Sequence, residues 1–234
     1  MSADKYDLEA RIFPAIICTI PIVTFYNVTI HDKLPKLFEY GWVSRVFGNV
    51  SIEVILIYFF IQMSRFISKF LFQKKYFNDG LNFPTVNFLL YKDNEFTFGY
   101  KEKIRKKIRN DFNIKLSNKK QELENELTAR KKLLEAVGLI ISKVKDGKLV
   151  LPYNITYGFF RNLFGGLIIT TPISLIIFLY YFFFQSFLMS WLFLSLITIC
   201  LLLLVFRKEI LFLTSNNYAK KLFSEYLVLN DPKI

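Results

Sequence analysis

The sequence predicts an all-α integral membrane protein, with two transmembrane hairpins (four helices) and a mainly helical cytoplasmic domain between them. Three observations lead to this fold class. Four stretches are nearly free of charge, most charged residues lie between the second stretch and the third, and two residues separate the third from the fourth. The hydrophobic content of 53% is only slightly above that of a soluble domain, so its uneven distribution along the chain decides the class.

The four apolar runs are the predicted membrane spans. They cover residues 12–30, 46–63, 163–184 and 187–206. A spanning helix needs about 20 mostly apolar residues, which the last two runs reach and the first two approach. Pro14 and Pro21 lie in the first run, and membrane helices tolerate proline better than soluble ones. The sequence is thereby divided into an N-terminus, a first hairpin, a cytoplasmic domain, a second hairpin and a C-terminal tail: 1–11, 12–64, 65–161, 162–206 and 207–234.

Lys and Arg residues predict the orientation of the spans, because they collect on the cytoplasmic side of membrane proteins. Residues 65–161 contain 21 Lys and Arg against 10 Asp and Glu. The loop at 27–48 contains three against two. We therefore expect the central domain and both termini to be cytoplasmic.

A basic amphipathic helix is predicted from the sequence YKEKIRKKIRNDF, which begins at Tyr100. Apolar side chains recur at every fourth position, and six cations stand between them: Lys101, Lys103, Arg105, Lys106, Lys107 and Arg109. Three interpretations stay open. The helix could lie on anionic lipid, bind nucleic acid or a nucleotide, or present a solvated face while it packs on its neighbours. The six cations are the candidate contacts for lipid or another ligand.

The segment 117–148 predicts one long helix. Asn118 and Gln121 have the spacing of a capping box, and Asp146-Gly147 is a typical end. A heptad pattern, interrupted by Arg130, follows Leu123, Leu127, Leu134, Val137, Ile141 and Val144. This pattern could pack on the basic helix or on another subunit, and we expect a homo-oligomer.

The stretch PYNITYGFFRNLFGG leads into the third run. Arg161 is expected at the inner membrane interface, and the two adjacent glycines allow close approach of another helix. The functional interpretation is a joint between the domain and the membrane, and the alternative is ordinary anchoring. The candidate joint residues are Asn154, Tyr157, Arg161, Asn162, Gly165 and Gly166.

Glu53 is the acid inside the predicted second span, and the polar residues Asn49 and Ser51 lie near it. An intramembrane carboxylate is a candidate for lining a pore, pairing with a base or carrying protons. Alternatively, Glu53 lies close to the outer surface. The sequence has one His, no catalytic triad and no phosphate-binding glycine loop, so we expect no enzyme activity, cofactor or metal site.

Three short motifs stand out. They are Tyr-Asp-Leu-x-Ala-Arg with Pro-Ala at 6–15, Pro-Thr at 84–85, and Asn-x-x-Tyr-Gly-Phe-x-Arg-Asn-Leu at 154–163. In these motifs the chain resembles an uncharacterised family of small bacterial four-helix membrane proteins. It departs from the family before Pro-Thr, where it has Leu-Asn-Phe in place of Gly-Gly-Lys and lacks the following His. The resemblance implies a bacterial inner membrane and, through the accessory gene clusters of the relatives, anti-phage defence.

Two functions are kept open. The first is an oligomeric membrane effector or channel-like protein whose cytoplasmic domain senses a ligand or partner. The second is a membrane-anchored scaffold or sensor that recruits a cytoplasmic protein, which could itself bind nucleic acid. Both have the lipid bilayer as a partner.

Overall fold

The computed structural model describes residues 2–30, 52–184 and 186–229, in which all regular structure is helical. Three π-helical segments, Leu8–Ile12, Tyr26–Ile30 and Ser68–Gln73, extend the first helices, and a 3-10 turn covers Asn78–Gly80. The α-helices are α1 (Ser2–Asp7), α2 (Phe13–Phe25), α3 (Ile52–Ile67), α4 (Lys74–Phe77), α5 (Pro84–Asn87), α6 (Phe98–Phe112), α7 (Lys119–Glu124), α8 (Glu126–Val144), α9 (Val150–Phe184), α10 (Phe187–Val205) and α11 (Arg207–Val228).

Within these described residues, four helical stretches are long and apolar enough to cross a membrane. They are Asp4–Thr29, Val54–Asn87, Val150–Phe184 and Phe187–Val205. An all-α fold with four helices long and apolar enough to span a membrane is thereby confirmed. The third stretch begins well before the predicted run, because α9 continues without a break through the polar residues ahead of Leu163.

The chain folds into two compact units, which are described separately. The membrane unit contains the described parts of residues 3–69 and 158–210. The helical unit contains residues 70–157 and the described part of 211–234. Helices α9 and α11 contribute residues to both units.

In the membrane unit, the first and third stretches run in the same direction. Their contacts rise together in residue number, from Ala10 with Asn162, through Cys18 with Thr170, to Thr29 with Tyr181. The first and third stretches are therefore parallel within this unit.

The second stretch runs in the opposite direction to α9. Ser64 lies against Gly166, whereas Ser68, one turn further on, lies against Asn162. Helix α10 folds back on α9, and the rings of Tyr181 and Phe193 stack with their centroids 5.5 Å apart. The buried cluster between α9 and α10 also contains Ile177.

The helical unit has its own apolar core. Its fully buried members include residues of α6, α8 and α11: Ile104, Ile108, Ala136, Ile140, Leu222, Phe223 and Tyr226. Residues 211–228 of α11 form part of this core, although they lie in the segment predicted as a C-terminal tail. The apolar positions of α11 are hard to recognise because Lys220, Lys221 and Glu225 alternate with them.

The segment predicted as one long helix is two helices that meet at Asn125, which has non-helical backbone angles (φ −148°, ψ 83°). The Asn125 side chain accepts a hydrogen bond from Thr128 N at 3.0 Å and so caps α8. The predicted capping box at Asn118 and Gln121 is confirmed.

The break at Asn125 explains why the predicted heptad pattern is wrong in its first part. Leu123 is 78% exposed and Leu127 is 53% exposed. The buried face of α8 is instead formed by Ala129, Leu133, Ala136, Val137, Ile140 and Val144.

Arg130, which interrupts the heptad pattern, has a defined role. Its Nη1 donates to the carbonyl oxygen of Leu81 at 2.7 Å and to the Asn87 side chain at 2.6 Å. This ties α8 to the chain after the turn at Asn78–Gly80. Gly80 has φ +99°, a value that side chains with a Cβ rarely adopt.

Candidate functional site

Asn162 joins three helices in the membrane unit. Its side chain is almost fully buried, and Nδ2 donates to the carbonyl oxygen of Ala10 at 2.6 Å. Its Oδ1 accepts from Ser68 Oγ at 3.5 Å. Ala10 lies in the π-helical segment Leu8–Ile12. The amide of Asn162 therefore ties α9 to that segment.

Three glycines allow the first and second stretches to approach α9 closely. A Cβ added at Gly158 would lie 2.8 Å from Tyr6 Oη, and one at Gly165 would lie 3.0 Å from Ser68 Cβ. A Cβ added at Gly166 would lie 2.8 Å from Ser64 Oγ. Small residues at helix interfaces are a common means of association in membranes. The close approach predicted at Gly165-Gly166 is confirmed.

These small and polar residues form a continuous stripe. Every fourth residue of α9 from Gly158 is small or polar, and all five are buried: Gly158, Asn162, Gly166, Thr170 and Ser174. Thr170 Oγ1 donates to the Cys18 carbonyl oxygen at 2.9 Å. We call this stripe, with Ser64 and Ser68 opposite it, the polar seam.

Two hydroxyl groups of the polar seam are not satisfied. Ser64 and Ser174 are 2% and 0% exposed. Among the described residues, neither Oγ has a hydrogen-bond partner. A buried hydroxyl without a partner costs free energy, and more so where lipid replaces water around the protein.

The predicted joint residues are divided between the two units. Arg161, Asn162, Gly165 and Gly166 lie in the membrane unit, whereas Asn154 and Tyr157 lie in the helical unit. Tyr157 is buried there, with its ring centroid 5.4 Å from that of Phe83 and 6.5 Å from that of Tyr218. The residues around the start of the third run therefore contribute to the packing of both units.

Two of the six predicted contact cations are buried in the helical unit. Lys101 donates to the carbonyl oxygens of Leu90, at 2.7 Å, and Asp93. Burial lowers the pKa of Lys101, and Asp93 and Glu122 partly oppose this. Lys101 thus holds the loop that precedes α6.

Arg105 is the second buried cation. Its guanidinium donates to the Leu89 carbonyl oxygen at 2.6 Å, to Glu122 at 3.1 Å and to the Ser117 carbonyl oxygen. The guanidinium also lies 4.2 Å from the centroid of the Tyr91 ring. Arg105 adjoins Ile104, whose face enters the core, so neither Arg105 nor Lys101 is available to lipid or to an external ligand.

The remaining cations of α6 differ in exposure. Lys107 is half-buried and donates to the Leu229 carbonyl oxygen at 3.0 Å. Lys103, Lys106 and Arg109 are exposed and stand three residues apart, which places them on one face. This face is the part of the predicted basic surface that can meet a partner.

Asp111 connects α6, α8 and α11. It is not among the site residues predicted from the sequence. Its Oδ2 accepts hydrogen bonds from Lys143 Nζ and Tyr226 Oη, both at 2.9 Å, and Lys107 Nζ lies 4.0 Å away. Burial tends to raise the pKa of Asp111, but these hydrogen bonds and the lysine charges outweigh it and lower the pKa. The link depends on three segments far apart in sequence, so a local pattern does not reveal it.

A shallow cleft of about 250 Å³ lies on the helical unit. Its lining combines apolar and charged residues: Leu90, Tyr91, Lys92, Lys119, Glu122, Leu123 and Glu126. Glu126 accepts from Lys92 Nζ at 2.6 Å and from Arg130 Nε at 2.7 Å, and these bonds lower its pKa. The cleft borders the exposed side chain of Leu123.

The predicted acidic site lies mostly outside the described residues. Asn49 and Ser51 are not among them, and of Glu53 the structure describes only its place in α3. Among the described residues, no group of three or more His, Cys, Asp or Glu side chains could hold a metal ion.

Two of the three sequence motifs meet in the membrane unit. The motif at 6–15 contacts the one at 154–163 through Tyr6 and Ala10 on one side and Gly158 and Asn162 on the other. No family model matches the chain, and no curated protein and no solved structure matches it either.

Proposed function

We propose that the protein is an oligomeric membrane effector with a channel-like action, and that its helical unit receives a ligand or a protein partner. The observation that carries the proposal is the polar seam, with the buried hydroxyls of Ser64 and Ser174 unsatisfied among the described residues. In an apolar bilayer such groups favour a state in which water or an ion reaches them.

In this structure the polar seam is closed at the glycines. The contacts at Gly165 and Gly166 leave no room for an additional methyl group. A path along the seam would therefore open when α9 separates from α2 and α3. The outward side chains of α3 are large and apolar, including Tyr58 and Phe66, which suits contact with lipid or with further copies of the chain.

We further propose that the helical unit and the N-terminus are cytoplasmic, in the inner membrane of a bacterium. Parallel spanning helices have both N-termini on one side of a bilayer. The parallel first and third stretches therefore support a common location for residues 2 and 150. The excess of Lys and Arg in residues 65–161 supports the cytoplasmic side. A role in anti-phage defence rests on the resemblance of the sequence motifs.

Ion flux from liposomes tests the effector. Gly166→Leu places a wedge in the polar seam and should raise the flux above that of the unsubstituted protein. Adding Ser64→Ala and Ser174→Ala to this variant should lower the flux again, because the seam then lacks two hydroxyls. Gly138→Leu is the matched control, because a Cβ at Gly138 meets no other atom within 4 Å. A Gly166→Leu protein that inserts into liposomes and stays helical but gives no flux would contradict the effector function.

A second candidate is a membrane-anchored scaffold or sensor that recruits a cytoplasmic partner. It is favoured by apolar side chains that the helical unit leaves exposed, namely Phe98 (67%) and Leu123 (78%). Leu123→Ser should then remove binding of the partner and leave the flux unchanged. Loss of flux without loss of binding would favour the effector.

A further inference from the structure

The hydrogen bonds of Asn162 fix the register of three helices in the membrane unit. Ala10 and Ser68 each bond to its side chain, so these two residues lie at the same depth as Asn162 along the helix bundle. A helix rises about 1.5 Å per residue, so the chain neighbours of these three residues lie at nearly the same depth.

Each of the three helices carries a cation next to its bonded residue. Arg11 follows Ala10, Lys69 follows Ser68, and Arg161 precedes Asn162. Arg65, one turn before Lys69, adds a fourth positive charge. We call these four residues the cation cluster. Arg11 is paired with Asp7, whose Oδ1 lies 2.5 Å from Arg11 Nη1.

Arg11, Arg65 and Lys69 offer donors to an anion. Arg65 and Lys69 are exposed. Arg11 Nε is buried and has no hydrogen-bond partner among the described residues. Guanidinium groups bind phosphate oxygens strongly because they offer several donors in one plane.

The surface beside the cluster is apolar. In the part of the first stretch that follows Arg11, Phe13, Ile17 and Ile20 are 45%, 43% and 47% exposed. On α3, before Arg65, Tyr58 and Phe59 are also exposed. A molecule that satisfies both surfaces has an anionic head and a long apolar body.

We propose that the cation cluster is a binding site for the phosphate group of an anionic phospholipid. The head group meets Arg11, Arg65, Lys69 and Arg161, and the acyl chains follow the exposed apolar side chains of α2 and α3. This site borders the polar seam at Asn162 and Ser68, but it does not depend on the effector function. It gives the bundle a lipid preference at the boundary where the cations lie.

Native mass spectrometry of the full chain, purified with mixed phosphatidylglycerol and phosphatidylcholine, tests the site. Arg65→Gln with Lys69→Gln changes two exposed side chains, so the fold should be retained. We expect retained phosphatidylglycerol to fall about fivefold for each cation removed, with phosphatidylcholine unchanged. Arg11→Gln with Arg161→Gln should act in the same way, and Arg11→Lys with Arg161→Lys should restore part of the binding.

The control removes the same charge elsewhere. Lys103→Gln with Lys106→Gln changes two exposed cations of the helical unit and should leave retained phosphatidylglycerol unchanged. Equal retention in the Arg65/Lys69 variant and the original protein would overturn the site, as would equal loss in the control. The last experiment uses inorganic phosphate without lipid. If it raises the melting temperature of the protein as much as phosphatidylglycerol does, the site binds a free phosphate instead.

Discussion

The amide of Asn162 donates to the carbonyl oxygen of Ala10 at 2.6 Å, across 152 residues of sequence. Ala10 lies in the π-helical segment Leu8–Ile12, so the bond fixes α9 against that segment. The Ala of the first motif and the Asn of the third motif are thus bonded to each other.

Replacing Asn162 by Ala should lower the free energy of unfolding of the membrane unit by about 1 to 3 kcal/mol, because the Ala10 carbonyl loses a buried donor. Thermal unfolding in detergent, followed by circular dichroism, measures the change. Asn154→Ala is the matched control on the same helix, since Asn154 is only half-buried and its side chain has no hydrogen-bond partner among the described residues. Similar losses in the two variants would contradict the role of Asn162.

Glycine substitutions should have opposite effects in the two units. Gly165→Ala and Gly166→Ala should each destabilise the protein by about 1 to 3 kcal/mol, because the added methyl group overlaps Ser64. Gly138→Ala in α8 should stabilise it by about 0.5 to 1 kcal/mol, since alanine is the better helix former and the space is open. Unfolding temperatures that change in the same direction at all three positions would refute the close packing of α9.

Glu122→Gln should destabilise the helical unit by about 3 to 5 kcal/mol, because Arg105 would keep a buried charge without its counter-ion. Both side chains are 7% exposed, so solvent screens the pair little. Lys106→Gln should change stability by less than about 0.5 kcal/mol, since Lys106 is exposed. Urea unfolding of the two variants separates the structural cations of α6 from its solvated ones.

Asp111 should make the helical unit sensitive to acid. Its pKa is lower in the folded protein than the ordinary value of about 3.9, so its contribution to stability is present above that value. The contribution is lost as the pH falls through the folded-state pKa. Asp111→Asn should therefore flatten the fall in unfolding free energy as the pH drops below about 4. Tyr226→Phe should reduce the slope by less, and parallel curves for Asp111→Asn and the original protein would exclude the effect.

The sequence predicts the spans well and the contacts among them poorly. An apolar run of about 20 residues is visible in one segment of chain, whereas the bond from Asn162 to Ala10 joins segments that no local pattern connects. Lys101 and Arg105 illustrate the same limit. Their positions near Ile104 on α6 allow the two side chains to be either solvated or buried. The carbonyl oxygens that bind them in the buried position come from loop residues 89–93 and 117.

The helical unit shows how a misleading pattern arises. Leu123 and Leu127 fit a heptad only if the helix is continuous, and Asn125 interrupts it. Asparagine favours caps over helix interiors, so its position between two leucines was the available signal. The core position of α11 had no comparable signal, because its partners in α6 and α8 lie about one hundred residues earlier.

The place of α11 in that core sets an order of events during synthesis. Residues 70–157 leave the ribosome long before residues 211–228, and the two candidate spans of α9 and α10 are made between them. The nascent helical unit therefore waits with Ile104, Ile108 and Ile140 uncovered until α11 arrives. Synthesis of the two candidate spans thus comes before the helical unit can complete its fold, and a ribosome stalled between residues 157 and 211 would leave an aggregation-prone intermediate.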